Sequence, residues 1–454
     1  MKIFLKNHDF RYAVEQSILA LLPEETWEED ENYLISSQLE ESAQAIFHWK
    51  GEEYQGNCNL TPDNQQFAIK TAVFQAISQT LPYAPPWGSL TGVRPVKLTS
   101  KLEQEGNKSS EILENVYFVD KIRSKLAEDC AKISLETQRK SKGNSIYIHI
   151  PFCPSPCSYC SFYTTNTIDL LENYLEALKK ELSLIKTIPI SSLYIGGGTP
   201  TILSSTQLAD LCQHIRTLFP QIPEFTVEAG RPETITKEKL DVLQSFGVDR
   251  ISINPQSMKE DVLKKIGRNH SVDEIYQAFS LAENLFSVNM DLIAGISSHE
   301  DFIYSLNKLL ALSPEQITVH ALTPKKNTPL SENYHPELGQ KWLETLNSAW
   351  ISLRNHGYVP YYLYRQKKIT QGLENVGWIK REKIENYCHY NIAMMEEFET
   401  IIGFGAGAMT KIVKKDRVGK DITRHPNRKD IREYTTTFQE DVLYKKNNIL
   451  QLVY

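Results

Sequence analysis

From residue 146 the chain repeats one pattern six times, a short apolar run followed by a segment with a helical apolar stripe. Ile146 to Pro151 reads as a strand, and the next helix carries Leu171, Tyr174, Leu175, Leu178, Leu182 and Ile185 on one face. Leu193-Tyr-Ile is a second strand, ended by Gly196-Gly-Gly-Thr-Pro and followed by a helix with Leu208, Leu211, Ile215 and Leu218 in phase. Phe225-Thr-Val-Glu is a third, and the helix behind it stops at Gly247, a C′ glycine. Val248 to Ile253, Asn289 to Ala294 and Gln316 to Ala321 complete the series. Strands alternating with helices predict parallel pairing with right-handed crossovers, in either an open doubly wound sheet or a curved, incomplete barrel.

Either architecture puts chemistry at the carboxyl ends of the strands. The polar and glycine-rich residues of this chain gather there. A cysteine loop follows the first strand, the triple glycine follows the second, and Glu228 closes the third. Asn254 and Gln256 close the fourth, Asp291 lies in the fifth and His320 in the sixth.

The cysteine loop carries the chemistry. Cys153, Cys157 and Cys160 form a C-x3-C-x2-C run directly behind the first strand. Three thiolates in so short a loop suit an iron–sulfur cluster held by three corners, one iron remaining open to a further ligand. A structural zinc site is the plainer alternative, but zinc asks for four nitrogen or sulfur donors, usually as two paired knuckles, and no second pair is present. The other cysteines, Cys58, Cys130, Cys212 and Cys388, stand alone and read as small buried residues; seven in all is no disulfide framework.

Composition excludes several other classes. A net charge of −6 gives no reason to expect a nucleic-acid or anionic-membrane partner. No run approaches the roughly eighteen apolar residues of a membrane span, and the N-terminus meets charge too early for a secretory signal, so a cytoplasmic protein is expected. A length of 454 residues predicts about two or three domains. We expect an N-terminal α+β unit over 1–140, the strand–helix series over 141–325, and a C-terminal unit over 326–454 that covers the substrate. Within the first, Gln65 to Leu81 and Glu111 to Ile133 read as helices, and Gly88-Ser-Leu-Thr-Gly-Val-Arg-Pro has too much glycine and proline for a core element. In the last, a helix is expected from Glu337 to Asn355, a strand from Tyr358 to Arg365, and a further helix near Ile392.

The cysteine spacing, with Tyr159 before the last cysteine, resembles the signature of the radical S-adenosylmethionine (radical SAM) enzymes. The likeness runs on through Gly196-Gly-Gly-Thr-Pro-Thr, Thr226-Val-Glu-Ala-Gly-Arg-Pro-Glu, Gly247-Val-Asp-Arg-Ile-Ser-Ile-Asn-Pro-Gln-Ser-Met, Ile266-Gly-Arg-Asn-His and Asn289-Met-Asp-Leu-Ile-Ala-Gly. That series is similar to the oxygen-independent coproporphyrinogen III oxidases. Leu90-Thr-Gly-Val-Arg-Pro, Tyr361-Tyr-Leu-Tyr-Arg-Gln and Glu374-Asn-Val-Gly-Trp look like the Gram-positive branch called coproporphyrinogen dehydrogenase.

The resemblance implies an α/β fold, a partial (βα)6 barrel of the TIM type with α+β extensions at both ends. It implies a 4Fe–4S cluster on Cys153, Cys157 and Cys160, with S-adenosylmethionine chelating the open iron. Tyr147, Gly197, Gly198, Thr199, Glu228, Gln256, Arg268 and Asp291 match family positions around that cofactor. The implied reaction begins with reductive cleavage to methionine and a 5′-deoxyadenosyl radical. The radical takes hydrogen from a propionate arm of coproporphyrinogen III, and loss of carbon dioxide leaves a vinyl group. A flavodoxin or ferredoxin is the implied electron donor. Carboxylate arms call for cations around a wide mouth, for which Arg365 and the run from Lys411 to Lys429 are candidates; a solvated surface is the plainer reading of that run.

The match departs in two places. The oxidases carry a fourth cysteine two places after the third, and Phe162 stands there. A sister group of haem chaperones also lacks it, and has a C-terminal His-Asn pair thought to engage haem; here His389 and Asn391 are split by Tyr390. The chain could therefore be an oxidative decarboxylase or a haem-delivery protein with the same core.

Overall fold

A computed structural model describes residues 1–22, 31–61, 64–162, 164–183, 188–323, 340–366, 373–415 and 420–449. The N-terminal part runs β1 (Lys2–Lys6), α1 (Arg11–Leu21), β2 (Tyr33–Gln38), β3 (Ser42–Trp49), β4 (Glu52–Asn59) and α2 (Gln65–Ser78). Its four strands form one sheet in sequence order, the β1–β2 pair parallel and the rest antiparallel. One face is covered by α1 and α2, whose Val14, Ile18, Ala68, Ile69, Ala72 and Val73 meet Leu34, Ala43, Ala45 and Phe47 in a core of their own.

Next come α3 (Pro95–Gln104), α4 (Ser109–Asn115) and α5 (Lys121–Lys140). The single helix expected over 111–133 is broken, because Phe118 takes a left-handed φ of 59° and the Asp120 carboxylate caps the backbone N–H of Arg123 to start α5 afresh. The apolar run Val116 to Val119 concealed that break. These helices, expected with the N-terminal unit, place Val96, Leu113, Leu126, Ala127 and Cys130 in the core of the strand–helix series instead. The glycine-rich stretch before them is also less superficial than expected: Trp87 is buried and donates Nε1–H to the buried Glu374 carboxylate, 2.9 Å away.

The strand–helix series follows the expected order: β5 (Asn144–Ile150), α6 (Leu171–Ser183), β6 (Ile190–Gly197), α7 (Ser205–Leu218), β7 (Phe225–Glu228), α8 (Lys237–Ser245), β8 (Arg250–Gln256), α9 (Glu260–Lys265), α10 (Val272–Ala282), β9 (Ser287–Ala294), α11 (His299–Leu312) and β10 (Gln316–Ala321). Helix starts are written locally: Ser204 with Gln207 and Ser271 with Glu274 form capping boxes, and Thr236 and Ser298 cap α8 and α11. Every neighbouring pair from β5 to β10 is parallel, yet β5 and β10 are not paired with each other. The barrel is incomplete.

The C-terminal part contains α12 (Gln340–Asn355), β11 (Tyr358–Arg365), β12 (Glu374–Lys380), α13 (His389–Glu396), β13 (Ile401–Phe404), β14 (Met409–Lys415), β15 (Lys420–Pro426) and α14 (Ile431–Ile449). Among the described residues it is not a separate cover. It lengthens the barrel sheet at both edges, giving the order β11-β12-β10-β9-β8-β7-β6-β5-β13-β14-β15. Strand β12 lies antiparallel to β10, while β13 returns parallel to β5. Helix α13 lies between the two flanks: Tyr390 stacks on Tyr147 and Tyr194, and Ile392 and Ala393 share a cluster with Val359 and Tyr361 of β11. The segment leading into α13 closes the amino end of the barrel. The Asn386 carbonyl accepts from Arg250 and Gln316, the first residues of β8 and β10, and Glu224 accepts from the backbone N–H of His389. The covering role expected for 326–454 is thus at odds with this segment, which lies opposite the cysteine loop. No described helix is long and apolar enough to cross a membrane.

Candidate functional site

The cysteine loop leaves β5 at its carboxyl end and is held there by backbone contacts to three neighbouring turns. Cys153 N–H donates to the Thr165 carbonyl, Ser158 N–H to the Ile266 carbonyl, and Thr199 N–H to the Phe152 carbonyl. The glycine run fits beneath it for steric reasons. A Cβ on Gly198 would lie 2.4 Å from the Phe152 carbonyl oxygen and 3.0 Å from Cys153 Sγ; Gly197 has φ of +108° and faces the His149 ring. Thr199 Oγ1 reaches Cys153 Sγ at 3.6 Å. His149 is itself tied to the Ala406 carbonyl, so it lies beneath the glycines and is no fourth cluster ligand.

All three sulfurs are part-exposed and unbonded to one another. Burial raises the pKa of Cys153 and Cys160, which disfavours free thiolates there. No three His, Cys, Asp or Glu side chains among the described residues converge on a point for one metal ion. A cluster does not require that convergence, because each thiolate holds its own iron.

On the concave side of the sheet, Tyr194 OH donates to Glu228 Oε1 at 2.7 Å, and Asn289 Nδ2 donates to Asp291 Oδ1 at 2.8 Å. His320 Nε2 lies 3.5 Å from Asp291 Oδ2. Burial pushes the Glu228 carboxyl up to about 7, with Asp291 adding to it against the hydrogen bond from Tyr194. Burial alone would lower the pKa of His320, but Asp291 and Asn375 outweigh it and raise it. Burial likewise raises the pKa of Tyr147, which stacks on His149 and Tyr390.

Polar atoms at the same end of the barrel await a partner. Asn254 Oδ1, Gln256 Oε1 and Arg268 Nε are buried and have no hydrogen-bond partner in the protein. Gln256 also has a left-handed φ of 67°. Such atoms are costly unless something binds them. With the glycine cradle and the three sulfurs, they fit a cluster and a small polar cofactor above it.

The expected site residues do not all take the expected posture. Cys153, Cys157, Cys160, Gly197, Gly198, Thr199, Glu228, Gln256, Arg268 and Asp291 all come to the carboxyl end of the barrel. The fork of Arg268 is committed within the protein: Nη1 donates to the Gly230 and Asn254 carbonyls and Nη2 to Tyr159 OH, at 2.7–3.0 Å, leaving Nε. Arg365 stands at the rim but is buried; Nη1 donates to the Leu90 carbonyl at 2.6 Å, and the guanidinium lies over Trp87. It ties the Leu90 to Arg94 segment to β11 and does not reach into an open mouth. The basic run from Lys411 to Lys429 is largely paired: Lys411 and Arg424 meet Glu397, and Arg428 meets Glu433 and Glu440, while 416–419 lie outside the described residues. One residue was missed. Arg231 donates to Cys157 Sγ at 3.1 Å, although it lies in plain sight behind a strand-end glycine in Thr226-Val-Glu-Ala-Gly-Arg-Pro-Glu.

Comparison with known proteins places these features in a family. Residues 147–308 match the family model described as the radical SAM superfamily. The oxygen-independent coproporphyrinogen-III oxidase-like protein HemZ of Bacillus subtilis is 38% identical over 78% of this chain and 75% of its own. The heme chaperone HemW of Bacillus subtilis is 36% identical over 40% of this chain and 52% of its own. The structure of coproporphyrinogen III oxidase, HemN, from Escherichia coli shares the fold with a TM-score of 0.53, at 22% identity over 69% of this chain and 73% of that one. The chain belongs to the radical SAM superfamily, among its coproporphyrinogen oxidase-like members, a family that uses a 4Fe–4S cluster and S-adenosylmethionine.

Proposed function

We propose that this protein oxidatively decarboxylates the propionate arms of coproporphyrinogen III to vinyl groups, giving protoporphyrinogen IX. The reading rests on one observation, the state of His389. The chaperone alternative needs an imidazole free to meet haem iron, and iron binds the neutral ring. His389 is 13% exposed, and its Nε2 lies 3.1 Å from Glu399 Oε1. Burial would lower its pKa, but the Glu399 carboxylate outweighs this and raises it, disfavouring the neutral ring. Its backbone N–H is spent on Glu224. A ring so committed favours the enzyme over the carrier.

In this reading Cys153, Cys157 and Cys160 hold the cluster, and Tyr147, Gly197, Gly198, Thr199, Glu228, Gln256, Arg268 and Asp291 surround the cofactor. Together the bound groups would supply the 5′-deoxyadenosyl radical that takes hydrogen from the propionate; departure of carbon dioxide would then leave the vinyl group and one electron, to be taken by a one-electron acceptor outside the chain. The chain's share is positional. Glu228 and Asp291 offer acceptors for ammonium or ribose hydroxyls, and Gln256 Oε1 offers another. The tyrosines around α13 and the plug at the amino end keep water from the concave face. A flavodoxin or ferredoxin would deliver the electron.

The test is anaerobic reconstitution followed by incubation with coproporphyrinogen III, S-adenosylmethionine and dithionite. Vinyl products with matching 5′-deoxyadenosine are expected. Stable haem binding without turnover would overturn the proposal in favour of haem delivery.

A further inference from the structure

Arg231 enters the cysteine loop from the turn after β7, and each of its three side-chain nitrogens has a defined acceptor nearby. Nη1 donates to Cys157 Sγ at 3.1 Å, Nη2 to Ser155 Oγ at 2.7 Å, and Nε to Glu233 Oε1 at 2.8 Å. The residue is 3% exposed. Glu233 is fixed in turn, its second oxygen lying 2.8 Å from His270 Nδ1. Burial would raise the Glu233 carboxyl, but His270 and Arg231 outweigh it and hold it at about 2. The guanidinium is therefore locked between a permanent carboxylate and a sulfur.

A buried cation is expensive unless it is compensated. One carboxylate and one hydroxyl would be enough to hold Arg231 in place, yet its remaining fork is spent on a soft sulfur acceptor. Arg268, next to it, makes no such contact and is occupied by carbonyls and Tyr159 OH. An N–H donated to a cluster sulfur draws electron density from it and favours the reduced, more negative cluster, thereby raising the reduction potential. Burial strengthens that effect.

We propose that Arg231 is a positioning residue that hydrogen-bonds the Cys157 sulfur and sets the potential at which the cluster accepts its electron. This rests on the reading of Cys157 as a cluster ligand. The Ser155 contact is the purely structural part of the clamp, so S155A separates the two roles.

The experiment uses the full chain, reconstituted anaerobically without S-adenosylmethionine or substrate. Iron and sulfide are measured for wild type, R231Q, R231K and S155A, and the cluster is titrated by EPR against potential. At the wild-type midpoint R231Q is expected to show a roughly tenfold lower ratio of reduced to oxidised cluster, a midpoint about 59 mV more negative for one electron. R231K, keeping the charge without the fork, is expected between the two, and S155A at the wild-type value. A filled cluster in R231Q with an unchanged midpoint would overturn the proposal. If R231Q fails to hold a cluster, R231K decides by the same criterion. Wild-type protein without iron and sulfide would instead refute the cluster reading.

Discussion

Glu228 sits where burial, the negative charge of Asp291 and the hydrogen bond from Tyr194 compete, and burial prevails, bringing its pKa to about 7. The folded value lies above the ordinary value of 4.5, so the folded state holds the extra proton between those limits. Stability therefore falls as pH rises through that window, by on the order of 3 kcal/mol in total. His320, raised by Asp291 and Asn375 against burial, contributes in the same direction: its stabilisation is present below 6.5 and lost as pH rises through the raised value. Thermal melts of the protein without cofactor from pH 5 to 8.5 should thus show a downward slope that Glu228→Gln reduces but does not abolish. The same substitution should weaken S-adenosylmethionine binding roughly tenfold to a hundredfold, the loss of one charged hydrogen bond, as read by calorimetry. A second residue-scale prediction concerns Gly198. Its substitution by alanine drives a Cβ against the Phe152 carbonyl, which is backbone and cannot swing aside. Gly198→Ala should fold, yet retain clearly less iron and sulfide after reconstitution than wild type, because the relief available is displacement of the cysteine loop.

At the scale of elements, the joint between α13, α3 and the β14–β15 hairpin depends on a single carboxylate. Glu397 stands past the end of α13 with φ of 53° and is met by Arg94, Lys97, Lys411 and Arg424. Burial would raise it, but Arg94 and the two lysines outweigh that and bring it to about 2. Its stabilisation is complete above the ordinary 4.5 and is lost as pH falls toward the folded value. Glu397→Gln leaves four cations facing one another and should cost about 3 kcal/mol in urea unfolding at pH 7, with the difference from wild type shrinking below pH 4. None of this joint was legible in the sequence, since Arg94 and Glu397 lie some three hundred residues apart and nothing local pairs them. The six strand–helix units were legible because period, glycine stops and serine caps all agree along a short stretch. The strand Tyr358–Arg365 was readable for the same reason. Strand β13 was not: it is only Ile401–Phe404, and its partner is β5, far back in the chain. At the site, the residues that cysteine spacing and strand-end polarity singled out come together at the carboxyl end of the barrel. The direction in which Arg268 and Arg365 donate depends on carbonyls of distant turns, which no spacing reveals.

For the whole molecule, the two cores set where the chain can be divided. The N-terminal core draws only on residues up to Leu81, and its described aromatic contacts with the remainder are Phe67 on Tyr117 and Phe74 on Phe118. The boundary at 140 expected from composition would instead cut α5 from the main core, to which it gives Leu126, Ala127, Cys130 and Ala131. The barrel is equally inseparable from its C-terminal flank. Without 326–454, β5 loses the register from Ile401↔Ser145 to Phe404↔Ile148, and β10 loses that from Gln316↔Ile379 to Val319↔Val376. Two edges of a parallel sheet, buried on both faces, would then open at once. Tyr147 and Tyr194 would also lose Tyr390 from the concave face. A fragment of residues 82–454 should therefore fold, melt cooperatively and bind iron and sulfide as the full chain does, at a somewhat lower Tm because Tyr117 and Phe118 lose their partners. A fragment of residues 141–325, which contains every cysteine of the loop and every residue proposed around the cofactor, should aggregate and reconstitute no cluster. Gel filtration, circular dichroism melts and iron analysis decide between them. A monomeric, cooperatively melting 141–325 fragment would mean that the barrel does not depend on its flanking strands.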